Sequence, residues 1–174
     1  MERIGYKNII DYLLDNALLS KAQHGFIKKR STCTNLLECV NDWTLILQNG
    51  DSVTVAYIDF NKAFDCVCPT KKLFFCFVQY GILGELLVWL KEFFTARSHQ
   101  TRVGQSLSDL AELLSGVIHG SGIGPVAFVI FIDTLAKLLE AHNIKSKMFA
   151  DDVKVYMSVA LCSMQTMLPR FRLH

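Results

Sequence analysis

The chain has 174 residues, 51% of them hydrophobic, enough to bury one sizeable core, so a single domain is the natural count. Its formal charge of +2 neither requires nor opposes a nucleic-acid partner. No apolar run reaches the ~18 residues of a membrane span, and the first residues lack a signal-peptide core. We therefore expect no membrane partner and an intracellular setting, nucleus or cytoplasm, without secretion.

In chain order, residues 6–19 read as an amphipathic helix with Ile9, Ile10, Leu13 and Leu14 on one side. Residues 20–31 form a polar connection containing Gly25 and the run Lys28-Lys29-Arg30. Such a run can lie against phosphates, although it is more often a solvated face. A second helix is expected over 32–49, burying Leu36, Val40, Trp43 and Leu47, with Gly50 as its cap.

The β-branched run Val53-Thr54-Val55-Ala56-Tyr57-Ile58 reads as a strand ending on Asp59. Alternation puts Val53, Val55, Tyr57 and Asp59 on one face. Pro69 and Gly81 bracket a helix over 71–80, and another follows over 83–96, packing Leu86, Trp89, Leu90 and Phe93. The runs 99–104 and 110–117 read as a strand pair. A glycine-dense turn then feeds a helix over 125–141, with Pro125 in its first turn and Phe128, Ile132, Leu135 and Leu139 as its stripe. Two short runs, 144–149 and 153–157, form a hairpin whose tip carries Asp151 and Asp152. Residues 159–174 carry no clear pattern.

The six cysteines, Cys33, Cys39, Cys66, Cys68, Cys76 and Cys162, show neither paired zinc spacing nor a suitably placed histidine. Buried or incidental thiols are the expectation. The acids are more informative. Adjacent carboxylates repel unless a cation lies between them, and Mg²⁺ takes hard oxygen ligands while leaving room for substrate phosphates. An isolated Asp-Asp pair is more often a polar turn. The strand ending at Asp59 shifts the balance: if it lies beside the hairpin, Asp59, Asp151 and Asp152 converge at one sheet end. Such a set suits two-metal phosphoryl transfer, with ions roughly 3.5–4 Å apart. Strands interleaved with helices imply an α+β fold, a small, largely antiparallel sheet with helices on one face.

Five stretches, in order over about residues 2–158, carry a family resemblance. Gln23-His24-Gly25-Phe26 through Ser31-Thr32 resembles Q-x-G-F-R-K-G-R-S-T, and Ile58-Asp59-Phe60-Asn61-Lys62-Ala63-Phe64-Asp65 resembles V-D-F-S-K-A-F-D. Trp89-Leu90 through Arg97-Ser98-His99-Gln100-Thr101-Arg102-Val103 resembles W-L-x₆-R-x-Q-x-V. Ser115-Gly116-Val117 through Gly124-Pro125 resembles S-G-V-P-Q-G-S-V-L-G-P, and Phe149-Ala150-Asp151-Asp152 matches F-A-D-D. Together they resemble the reverse transcriptase of a non-LTR (LINE-type, jockey-like) retrotransposon.

The resemblance implies a polymerase-type palm with a partial helical fingers region: 1–50 as a fingers remnant, 51–158 as palm, and 159–174 as a truncated or divergent tail. It implies an RNA-directed DNA polymerase using Mg²⁺ or Mn²⁺, an RNA template, a DNA primer and deoxynucleoside triphosphates. Asp59, Asp151 and Asp152 would be the catalytic, metal-binding acids. Phe64 matches the aromatic that blocks a ribose 2′-hydroxyl, although the residue alone reads as core. His119, Gly120 and Ser121 lie in the segment expected beneath the incoming nucleotide, where glycine permits close backbone approach. Ile118-His119 replaces the family's Pro-Gln, and Ile27 and Lys29 replace an arginine and a glycine. The resemblance puts the triphosphate-gripping motifs before residue 2 and the thumb after 158, so the fragment alone is expected to be inactive. The alternatives are a non-catalytic relic or adopted module that binds nucleic acid or protein weakly, and an unrelated metal-dependent phosphohydrolase.

Overall fold

A computed structural model describes residues 2–160. The chain divides into two compact units, each built from two segments: Met1–Lys21 with Phe60–Leu135, and Ala22–Asp59 with Ala136–His174. Residue Cys162 and the unpatterned stretch beyond 160 lie outside the described residues.

The second unit is a three-stranded antiparallel sheet with a helix on it. Strand β1 (Ser52–Ile58) pairs with β7 (Asp152–Val159), which also pairs with β6 (Lys145–Phe149), giving the order β1-β7-β6. The register runs from Ser52 opposite Val159 to Ile58 opposite Val153, and from Lys145 opposite Tyr156 to Phe149 opposite Asp152. Helix α2 (Thr32–Gln48) packs against β1 and β6. It starts where Ser31 Oγ accepts the Thr34 N–H at 3.2 Å and Thr34 Oγ1 accepts the Ser31 N–H at 2.9 Å. That reciprocal pairing satisfies donors the first turn would otherwise leave open.

The buried stripe of α2 differs from the one its leucines suggest. Asn35, Cys39 and Ile46 are buried, whereas Leu36, Val40 and Leu47 are 51%, 53% and 60% exposed. Trp43 alone of the expected set packs inward, edge-on to Tyr156 at 5.9 Å between ring centroids. The reason lies in the sheet, whose covered face presents polar tips. Lys154 Nζ donates to Asn35 Oδ1 at 2.7 Å, and Tyr156 Oη donates to Asp42 Oδ2 at 2.5 Å. Pairing these groups requires Asn35 and Asp42 to face inward, which turns the helix one residue, about 100°, away from its leucine stripe.

The first unit is mainly helical. It contains α1 (Glu2–Asp15), a wide turn (Pro69–Leu73) leading into α3 (Phe74–Gln79), α4 (Gly84–Phe94) and the N-terminal part of α5 (Gly124–Ala141). In the wide turn the Leu73 N–H reaches back five residues to the Cys68 carbonyl at 3.2 Å. Leu13, Leu73, Phe77, Leu90, Phe128 and Ile130 form its core. Leu86, expected inside, is exposed, and Phe94 is buried with Leu90. Within the otherwise apolar start of α5, Asp133 is fully buried; it accepts the Ser20 N–H at 2.8 Å and the Tyr80 hydroxyl. Burial, then this hydrogen bond, pushes the Tyr80 phenol well above its ordinary range.

The expected strand pair over 99–104 and 110–117 is much reduced. β2 (Ser98–His99) pairs with β5 (Ala111–Glu112), and β3 (Arg102–Val103) with β4 (Ser106–Leu107). Gly104, at φ +61, reverses the chain immediately after Val103, so the run folds on itself before it can extend. No helix among the described residues is long and apolar enough to cross a membrane. The whole is a mixed α+β chain whose named sheets are all antiparallel.

Candidate active site

The register of the three-stranded sheet decides where the acids go. Ile58 sits opposite Val153, so Asp59 leaves β1 at the end where Asp152 opens β7 and Asp151 forms the turn. A cleft of about 280 Å³ opens there, lined by Asn35 of α2, Tyr57 and Asp59, Phe149, Asp152 and Lys154. Asp59 and Asp152 are exposed and Asp151 is half-buried.

Among the described residues, none donates a hydrogen bond to these three carboxylates. Lys154, which lines the same cleft, donates to Asn35, and Lys147 pairs with Glu38. An all-oxygen, unpaired donor set suits a hard divalent cation. The arrangement is nevertheless open. Among the described residues no three acids stand close enough to hold an ion as they are. The expected convergence therefore extends to a shared sheet end, with Asp59 and Asp152 in one cleft, and not to a closed cage.

The turn itself is held from outside. Ala150 has φ +55, in the left-handed region that non-glycine residues seldom adopt. The fully buried Gln23 side chain accepts the Ala150 N–H at 3.0 Å and donates to the Ala150 carbonyl at 3.2 Å. Gln23 Oε1 also accepts the Gly25 N–H at 2.7 Å. Asn35 Nδ2 donates to the Met148 carbonyl at 3.1 Å. Sequence reasoning missed both amides, and the only trace of Gln23 was its place in the first family box.

Beside Gln23, His24 is buried, with Nδ1 3.0 Å from Thr34 Oγ1 and Nε2 3.4 Å from Glu38 Oε2. Burial pushes its imidazole below the ordinary range, outweighing the attraction of Glu38. The Lys147 ammonium holds the Glu38 carboxyl low.

The remaining predicted residues lie in the first unit. Phe64 stacks on Phe128 with centroids 4.0 Å apart and planes at 17°, and its ring is 6.4 Å from that of His119. His119 Nε2 lies 2.6 Å from Asp65 Oδ1, both side chains being exposed. The glycine turn is tied to this loop by Gly116 N–H to the Val67 carbonyl, 2.7 Å, and Val117 N–H to the Phe64 carbonyl, 3.0 Å. Gly120 has φ +78 with open space at its Cβ position. Ser121 Oγ accepts the Gly124 N–H at 2.9 Å, which ties it to the start of α5.

Two comparisons with known proteins bear on the chain. A family model described as reverse transcriptase (RNA-dependent DNA polymerase) matches residues 3–172. No curated protein matches it. The family match spans nearly all of the sequence, including β1, the Asp59 that follows it and the acidic turn. On that extent of agreement, the chain belongs to the reverse transcriptase (RNA-dependent DNA polymerase) family.

Proposed function

We propose that this chain is a fingers and palm segment of a non-LTR (LINE-type, jockey-like) retrotransposon reverse transcriptase, serving RNA-templated DNA synthesis by two-metal nucleotidyl transfer. The observation that carries the reading is the β1–β7 register, which brings Asp59 to the sheet end that bears Asp151 and Asp152. In this reading those three carboxylates hold Mg²⁺ or Mn²⁺. When bound, the ions would lower the pKa of the primer 3′-hydroxyl and stabilise the leaving oxygen.

The chain's own residues then bind and orient. Phe64, fixed by its stack on Phe128, limits the space at the sugar 2′ position. Gly120, with no side chain and open space around it, lets the nucleotide approach the backbone. His119 stands where the family has an amide and donates from its ring; its partner here is Asp65. Ser121 supports the same segment through Gly124.

Iron-directed cleavage tests the metal assignment without requiring activity. Fe²⁺ replacing Mg²⁺, with ascorbate and peroxide, should cut the chain near Asp59 and near Asp151–Asp152, and excess Mg²⁺ should suppress both cuts. Cuts elsewhere, or none, would favour the non-catalytic reading. Primer extension on an RNA template by the purified chain should be undetectable, and robust extension would overturn the expectation of inactivity.

A further inference from the structure

The acidic turn is not self-supporting, and its support comes from one side chain distant in sequence. Ala150 occupies a left-handed conformation without being glycine, so something must hold it there. Both of its backbone hydrogen-bonding groups are taken by the single amide of Gln23, at 3.0 and 3.2 Å. A neighbouring strand would satisfy a peptide in the same way, with one donor and one acceptor. The segment around Gln23 continues this strand-like behaviour: the His24 N–H reaches the Met148 carbonyl at 2.8 Å, and the Met148 N–H reaches the Ala22 carbonyl at 2.9 Å. Gly25 closes the arrangement, since a Cβ there would come within 2.2 Å of the Ala150 nitrogen.

We infer that Gln23 is a positioning residue for Asp151 and Asp152: it touches no reacting atom, and it fixes the peptide from which the two carboxylates depart. The role rests on the divalent-ion reading of the turn. An amide suits it where a carboxylate would not. Glutamate would present an acceptor to the Ala150 carbonyl and add a third negative charge beside two acids. A hydrocarbon of similar length would leave the buried Ala150 and Gly25 N–H groups unpaired.

The test uses the 174-residue chain and two substitutions of nearly equal size, Gln23→Met and Gln23→Glu. Two quantities are read: hydrogen exchange at the Ala150, Gly25 and Val155 amides, and the Mn²⁺ dissociation constant from the free-ion paramagnetic signal. Wild type should protect Ala150 and Gly25. Gln23→Met should release both amides, keep the sheet amide of Val155 protected and weaken Mn²⁺ binding about 10- to 100-fold, the usual effect of removing a group that orients a metal ligand. Gln23→Glu should keep Gly25 protected yet also weaken Mn²⁺ binding. If Gln23→Met does not fold, wild type and Gln23→Glu decide the matter. An unchanged Mn²⁺ affinity in either folded variant, or fast Ala150 exchange in folded wild type, would overturn the positioning role. Protected Ala150 in a wild type that binds no Mn²⁺ would uphold the clamp and overturn the divalent-ion reading instead.

Discussion

The acidic turn at 150–152 and the glycine turn at 116–122 both carry family boxes, and they are held in opposite ways. The acidic turn is gripped by a buried amide and by backbone-to-backbone contact at Gly25. The glycine turn is fastened by two main-chain hydrogen bonds at one end, by the exposed His119–Asp65 pair, and by the Gly122 N–H donating to the Glu2 carboxylate at 2.6 Å, while around Gly120 it is open. The difference shows that a left-handed residue can be stabilised from outside or tolerated from within. Ala150 needs Gln23 to stay where it is, and Gly120 needs only the lack of a side chain. Substitutions should therefore cost much at the first turn and little at the second.

Gly25→Ala should produce the largest effect, a loss of about 3 kcal/mol or more, because its methyl meets backbone that cannot move aside. Gly120→Ala should lose about 1–2 kcal/mol, from its positive φ alone. Equal losses in urea melts of the two variants would mean that the two turns are held alike.

Acid should act on the gripped region next. Burial lowers the folded-state pKa of His24, so the unfolded chain takes up the proton first. The stability tied to His24 is full above its unfolded value of about 6.5 and is lost as pH falls from there toward the folded value. Glu38, Arg30 and Lys147 are the charges acting on this ring. Glu38, itself held low by Lys147, adds a second loss only as pH falls below the ordinary carboxylate range. Thermal melts between pH 7.5 and 5.5 should show a falling midpoint that His24→Gln flattens. An equal slope in the variant would remove His24 from the account.

Lys29 offers a gain. It stands at φ +67 where the family pattern has glycine, so Lys29→Gly should stabilise the chain by about 1 kcal/mol. A destabilised variant would mean that the Lys29 side chain contributes more than its backbone conformation costs. At the open turn His119→Ala should change stability by only about 0.2–1 kcal/mol, because a pair exposed on both sides is screened by solvent. A larger loss would show this turn to be gripped as firmly as the other.

These contrasts also mark what the sequence can reveal. β1, the hairpin and α5 were legible because β-branched runs, a central Asp-Asp and a proline-started apolar stretch each leave a local pattern. α2 was found, but with the wrong face inward. Its inward face carries the buried Asn35 and the half-buried Asp42, whose partners, Lys154 and Tyr156, lie on another element. The strand pair before the glycine turn was overextended because Gly104 reverses the chain within it. The acids could be proposed because one strand-like run ends at Asp59 and two others flank Asp151 and Asp152. The Gln23 clamp could not, since a contact across 127 residues leaves no periodic trace.

Divalent-ion binding at the acidic turn has a thermal consequence that can be measured. An ion that binds only the folded chain stabilises it by about 2.7 kcal/mol at a hundredfold excess over Kd. At fixed ionic strength, Mg²⁺ or Mn²⁺ should raise the melting temperature of the wild type. Asp151→Asn should lose most of that rise while melting higher without metal, because it removes one of two adjacent charges at little change in volume. Asp65→Asn, whose carboxylate faces His119, should keep the rise. An equal metal response in all three proteins would mean that Asp151 holds no ion and that the turn is only a turn.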